Sequence, residues 1–328
     1  MYSGVVLAAG CRILGGMKNL GVIVTFSLSA TLLATACGGG DPATADAGSP
    51  GDVDAAGAAD AAIPEGWTQL IGRTWSLPAG QPDTYKCIRI QLAEDLFIAG
   101  FRSQAPLGSH HAVVTLADGG ALGEYDCQVG SLDTQMLYAS GVGTDDLLFP
   151  DGVAMRLRAG QTVNLNLHLF NASDEPLSGS SGVLVRTMTE AEVVQEADMI
   201  FAGTQRINIP GNGQPYSTQG GCTLSRSYQA FALWPHMHQY ATHQRVTVTR
   251  GGNTTVLLDE PFAFTEQRNY PQVTPISFQA GDQVQTTCTY VNDTGSAVGF
   301  GDSSNAEMCF TGMYRYPAGG FLFECVTF

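Results

Sequence analysis

The chain has 328 residues, 44% hydrophobic and 14% charged, which excludes disorder throughout and leaves enough apolar material for a sizeable core in two domains. Its formal charge of −15, with 15 basic residues scattered rather than clustered, offers no footprint for phosphate backbones and excludes nucleic acid as a partner. Long amphipathic helical patterns are missing, while 40 glycines and short alternating runs rich in Thr, Val, Ser and Gln point to an all-β body.

Met17-Lys18, an apolar run over 20–33 and Ala34-Thr35-Ala36-Cys37 give the basic start, apolar middle and small-residue end of an export signal. The apolar run is short for a stable membrane span, which favours cleavage. The ending resembles a bacterial lipobox with Cys37 as the lipidated residue, although Ala stands where Leu is usual. Residues 1–37 are therefore expected to be a signal peptide. The mature protein is expected at the bacterial outer membrane or cell surface as a lipoprotein, otherwise periplasmic or secreted, touching the membrane through a lipid anchor only. Residues 38–65 are Gly-, Ala- and Asp-rich with no basic residue, a composition unable to bury enough apolar area to order itself, and read as a disordered tether.

Strand-like runs follow at 85–92, 111–116, 163–170 and 183–187. The helix-prone polar stretch 189–196 marks the junction between a first domain, 66–194, and a second, 195–328. Further runs cover 206–209, 227–233, 244–249, 284–291 and 308–316, with turns at Gly251-Gly252 and Gly281-Asp282. Setting aside Cys11 and Cys37 leaves Cys87, Cys127, Cys222, Cys288, Cys309 and Cys325, an even set in an oxidising compartment, for which sequence alone permits fifteen pairings.

The histidines carry the chemistry. Six His placed at random in 328 residues would give roughly 0.1 adjacent pair and as few spaced pairs, yet both His110-His111 and His236-Met237-His238 occur. Residues two apart on a strand share a face, so His236 and His238 can reach one ion. Adjacent residues cannot unless the backbone bends, and Gly108-Ser109 supply a place for that bend. In Val163-Asn164-Leu165-Asn166-Leu167-His168 the apolar residues take one face and His168 the other, either as an ordinary polar-face residue or as a cleft-lining one. Imidazole sets of this kind equally suit zinc or copper.

Asn305-Ala306-Glu307-Met308-Cys309-Phe310 separates the metals, because Glu-Met-Cys near the C-terminus resembles the methionine-ligand motif of the copper type II ascorbate-dependent monooxygenases, such as the peptidylglycine α-hydroxylating and dopamine β-monooxygenases. His-His, a single strand His, His-x-His and this Met appear in the family's order, over roughly 66–328. The resemblance implies two tandem antiparallel β-sandwich, jelly-roll-like domains, each with one copper site, opposed across a water-filled cleft. It implies two copper ions: one on His110, His111 and His168 that stores and delivers an electron, and a catalytic one on His236, His238 and Met308 that takes O2. Ascorbate is the implied reductant and a small organic molecule the implied substrate, hydroxylated at a C–H bond. The resemblance also pairs Cys87 with Cys127, Cys222 with Cys325 and Cys288 with Cys309. Trp234 stands where peptide-amidating members have an Arg, and Phe310 and Gly312 where they have polar groups, which argues against a peptide carboxylate and makes Trp234 and Phe310 substrate contacts or packing residues. His243 matches no ligand. Two other functions stay open: a copper-holding lipoprotein without catalysis, and a jelly-roll module binding surface glycans.

Overall fold

Strict alternation builds the sheet that carries the first histidines. In the strand Thr162–Leu169, Val163, Leu165, Leu167 and Leu169 are fully buried on the core side, while Asn164, Asn166 and His168 face the other way. Burying each of the four aliphatic side chains contributes about 1.5–3 kcal/mol, which fixes the register and with it the side to which His168 points. The computed structural model describes residues 63–128, 135–141 and 143–328. The signal peptide, Cys37 and the tether up to residue 62 lie outside the described residues.

Among the described residues there are strands and one 3-10 turn, Glu190–Glu192, at the place read as the junction. In the N-terminal half a five-stranded sheet runs in the order Gly123–Asp126, Thr84–Gln91, Thr162–Leu169, Ser109–Ala117, Met136–Gly141. It packs on a six-stranded sheet centred on Leu177–Thr187 and Leu96–Gln104. In the C-terminal half a five-stranded sheet holds Tyr228–His236 beside Cys309–Tyr316, and it faces a four-stranded sheet built around Gln283–Val291 and Ala241–Arg250. This half is a β-sandwich.

The two halves share buried contacts. One apolar cluster runs from Ile98, Phe101 and Val163 in the first half to Phe231, Trp234 and Tyr314 in the second. Phe149 meets Phe231 at 4.7 Å between ring centres at the crossing point. In the second half the fully buried Arg315 is paired with Asp198, at 2.9 Å, and with Glu324, and its guanidinium lies over the Tyr228 ring. Such a charge tolerates burial only because its donors are matched by carboxylate and carbonyl acceptors.

Disulfides join Cys87 to Cys127, Cys222 to Cys325 and Cys288 to Cys309. The last links the strand Gln283–Val291 to the residue directly after Met308. No helix among the described residues is long and apolar enough to cross a membrane.

Candidate metal centre

The backbone breaks step where two adjacent histidines must cooperate. The pairing of Ser109–Ala117 with Thr162–Leu169 shifts register between Ser109 and His111, and Gly108 just before it takes a positive φ of 97°, which a side chain would strain. The shift lets both imidazoles turn toward His168. His110 Nδ1 and His168 Nδ1 lie 3.2 and 3.4 Å from His111 Nδ1. One ligand atom from each ring falls within 4.8 Å of the others.

The outer contacts orient these rings. His168 Nε2 meets Asp83 Oδ1 at 3.0 Å, which holds the proton on Nε2 and leaves the Nδ1 lone pair for the cluster. Tyr85 stacks on His168, 4.7 Å between centres and 10° from parallel. Burial, reinforced by the neighbouring His168, pushes His110 down to about 4, and burial drops His111 well below the ordinary histidine value. These two are therefore neutral at pH 7, the form in which an imidazole ligates a cation.

The second set sits at the end of a strand. Tyr228–His236 stops at His236, and His238 lies just past it, so the extended spacing expected for the pair holds only up to the first ring. Their rings are nevertheless 5.4 Å apart, 85° from parallel, and both line one cavity together with Met308. His238 donates from Nδ1 to the Ala306 carbonyl at 3.1 Å, leaving Nε2 with its lone pair. Burial, then the charge of His238, pushes His236 down to about 3, and burial lowers His238 as well.

Met308 is held from three directions. Tyr290 donates its hydroxyl to the Met308 carbonyl at 2.8 Å, the Cys288–Cys309 bond follows directly, and Glu307 precedes it. The Glu307 carboxylate is fully buried and accepts the backbone N–H groups of His238, Tyr240 and Met308 at 2.8, 2.7 and 3.2 Å. Burial raises its pKa to about 7 against the lowering effect of those bonds.

A loop that no sequence pattern singled out joins the two sets. Gln267 Nε2 lies 2.8 Å from His111 Nε2, and its Oε1 lies 3.0 Å from His236 Nδ1. Phe264 packs against His110, His111 and His238 at 5.2, 5.1 and 6.0 Å. Thr144 donates to the Gln267 carbonyl at 2.6 Å, so the loop is fastened to the N-terminal half. Where an open gap was expected between the sets, one amide spans them.

All five histidines and Met308 surround or adjoin a cavity of about 410 Å³. Trp234 lines it, stacking on His236 at 4.7 Å. The substrate contact expected of Phe310 is not found: its ring is fully buried, stacked on Phe201 at 5.2 Å and closed in by Phe300 and Phe323. The apolar interior between the sheets claims it, the packing alternative for this residue. His243 is a surface residue paired with Asp259 at 3.2 Å.

The donor chemistry fits copper: imidazoles in both sets and a thioether in one, the latter a soft ligand that suits the reduced ion. Residues 195–325 match the family described as copper type II ascorbate-dependent monooxygenase, C-terminal domain. Over this region the chain is similar to that family. Copper type II monooxygenases are copper- and ascorbate-dependent oxidoreductases that use O2 on a small-molecule substrate. No curated protein sequence matches the chain significantly. Solved structures similar to parts of it include the CUB1-EGF-CUB2 domain of human MASP-1/3, 12% identical over 76% of this chain and 94% of that one with a TM-score of 0.16. Vicilin from tomato, Solanum lycopersicum, is 8% identical over 70% and 76% with a TM-score of 0.13. Neither likeness bears on fold or function.

Proposed function

We propose that the protein is a two-copper monooxygenase that hydroxylates a C–H bond of a small organic substrate with O2 and a one-electron donor such as ascorbate. His110, His111 and His168 would hold the copper that stores an electron. His236, His238 and Met308 would hold the copper at which oxygen chemistry takes place. When bound, the two ions supply the electrons and the oxygen activation that no protein side chain can. The chain's own part is to keep His110, His111, His236 and His238 neutral, to orient His168 through Asp83 and His238 through the Ala306 carbonyl, and to confine the substrate beside Trp234 and Met308.

The observation that supports this reading is the convergence of five imidazoles and one thioether, far apart in sequence, on a single cavity. A copper-holding role without catalysis uses the same ligands but gives no reason for a cavity between them. Export as a lipid-anchored protein, with Cys37 as the modified residue, completes the proposal.

The test is metal analysis together with oxygen uptake by the ascorbate-reduced protein over a panel of small C–H substrates. Two coppers per chain and substrate-dependent uptake are expected. Stoichiometric copper with no uptake on any substrate would leave only the holding role, and no copper would end both.

A further inference from the structure

The cavity extends well beyond the histidines. Its floor is one face of the five-stranded sheet, and residues there fall in rungs: Tyr85, His168 and His111 on the first, Cys87, Asn166 and Val113 on the next, Arg89, Asn164 and Thr115 on the third. Four residues of strand separate Tyr85 from Arg89, about 13 Å along the sheet. The side chains divide lengthwise, with Val113, Ala117, Met136 and Ala139 forming an apolar flank and Asn164, Asn166 and Tyr125 a polar one.

Arg89 is the lone permanent cation of this lining among the described residues. It is held rather than loose: its guanidinium lies 4.3 Å from the centre of the Tyr125 ring, and Gly120, at a positive φ of 102°, packs against Nη1 so closely that a Cβ there would stand 2.7 Å away. Tyr125 is itself fixed, donating its hydroxyl to Asn164 Oδ1 at 2.7 Å. Yet Arg89 makes no ion pair among the described residues, and its Nε is buried with no acceptor. A buried guanidinium N–H without a partner is costly unless something supplies one. The acid of the lining, Asp302, belongs to the segment whose Ser304 hydrogen-bonds Tyr85, at the histidine end. Polarity thus runs from acid and imidazoles at one end to an unmatched cation at the other.

We infer that Arg89 anchors the carboxylate of an elongated, largely apolar monocarboxylate, whose far end lies against Trp234 and Met308. The inference rests on the proposed monooxygenase reading for what happens at that far end, but the binding itself does not require metal. An arginine presents Nε and a terminal nitrogen as a fork that a carboxylate matches with two charge-assisted bonds, so the anion supplies the acceptor that Nε lacks. The apolar flank then takes the chain, and the span from Arg89 to the histidines sets its length.

The probe is decanoate, whose extended chain is comparable to that span, with 1-decanol as the uncharged control. Each is titrated calorimetrically into the full chain with copper and without it, while Trp234 fluorescence reports on the far end. Decanoate is expected to bind at least about ten-fold more tightly than decanol, in both metal states. Arg89→Met should erase that difference and Arg89→Lys should restore part of it, with melting temperatures showing that both variants fold. Equal binding of acid and alcohol, an unchanged preference in Arg89→Met, or a preference that vanishes on copper removal would overturn the assignment. Copper content of the same samples judges the monooxygenase reading separately, since Arg89 touches none of the histidines.

Discussion

The buried carboxylate of Glu307 accepts the backbone N–H of His238 at 2.8 Å. Because the same carboxylate also takes the N–H groups of Tyr240 and Met308, it ties two chain segments 69 residues apart into one ligand platform. Glu307→Ala should cost roughly 2–4 kcal/mol of unfolding free energy, since three buried donors lose their acceptor. Urea denaturation measures the loss, and metal analysis should show one copper retained per chain instead of two. Full copper content in a folded Glu307→Ala protein would show that the platform does not depend on it.

Met308→Leu keeps volume and apolarity, so stability should change by less than about 1.5 kcal/mol. Loss of the thioether should weaken the reduced ion far more than the oxidised one. Competition with a Cu(I) chelator reads this directly, and an unchanged Cu(I) affinity would remove Met308 from the ligand set. His110→Ala should instead empty the other site and leave the Met308 site filled.

Gln267 ties the two histidine sets through one amide, which has one donor end and one acceptor end. Whichever of His111 and His236 donates to the oxygen, the other must accept from the nitrogen, so the two rings are locked in opposite senses. Gln267→Leu should leave both coppers bound while loosening their separation. Dipolar broadening between the two Cu(II) ions should spread to a wider range of distances, and an unaltered distribution would assign the spacing to the fold alone.

Asp282 supplies a pH dependence far from the histidines. It is almost fully buried and accepts Arg250 Nε and Nη2 at 2.8 and 2.7 Å and the Gln279 N–H at 2.8 Å. The Arg250 hydrogen bonds come first among the causes that hold its pKa below the ordinary 3.8. A depressed carboxylate pKa stabilises the folded state above the unfolded value, and that stability disappears as pH falls through the folded one. Asp282→Asn should therefore cost stability at pH 7, and the difference from wild type should shrink below about pH 3.8. A difference that stays constant down to pH 2.5 would contradict the assignment.

Removing Cys288–Cys309 by replacing both with Ala should cost about 3 kcal/mol from freeing a loop of 21 residues in the unfolded chain. It should also lower copper retention at the Met308 site more than at the His110 site. Equal retention at both would mean that Tyr290 and Glu307 suffice to hold Met308.

The grouping of the histidines was readable because it leaves a local trace: adjacent or alternate imidazoles, and a strand whose aliphatic period assigns His168 to one face. Even the bend required at His110-His111 was announced by Gly108. Phe264 and Gln267 left no such trace, since they sit between strands where nothing periodic constrains them and gain meaning only from groups over 150 residues away, as in the bond from Gln267 to His111. Phe310 shows the opposite case. Its position, where peptide-amidating members have a polar group, left substrate contact and packing both open, and Phe201, Phe300 and Phe323 converge on its ring from elsewhere in the chain. Arg89 is one of 15 basic residues, and only the lack of an acid beside it sets it apart.

The apolar seam at which Phe149 meets Phe231 reaches beyond packing. Swinging the halves apart as on a hinge would wet those rings along with Phe101 and Tyr314, each of which is buried in the same cluster. Traffic to the cavity must then pass through movements of short surface segments rather than a gross opening of the molecule. On the proposed two-copper reading, the spacing of the two ligand sets is set once, when the chain folds.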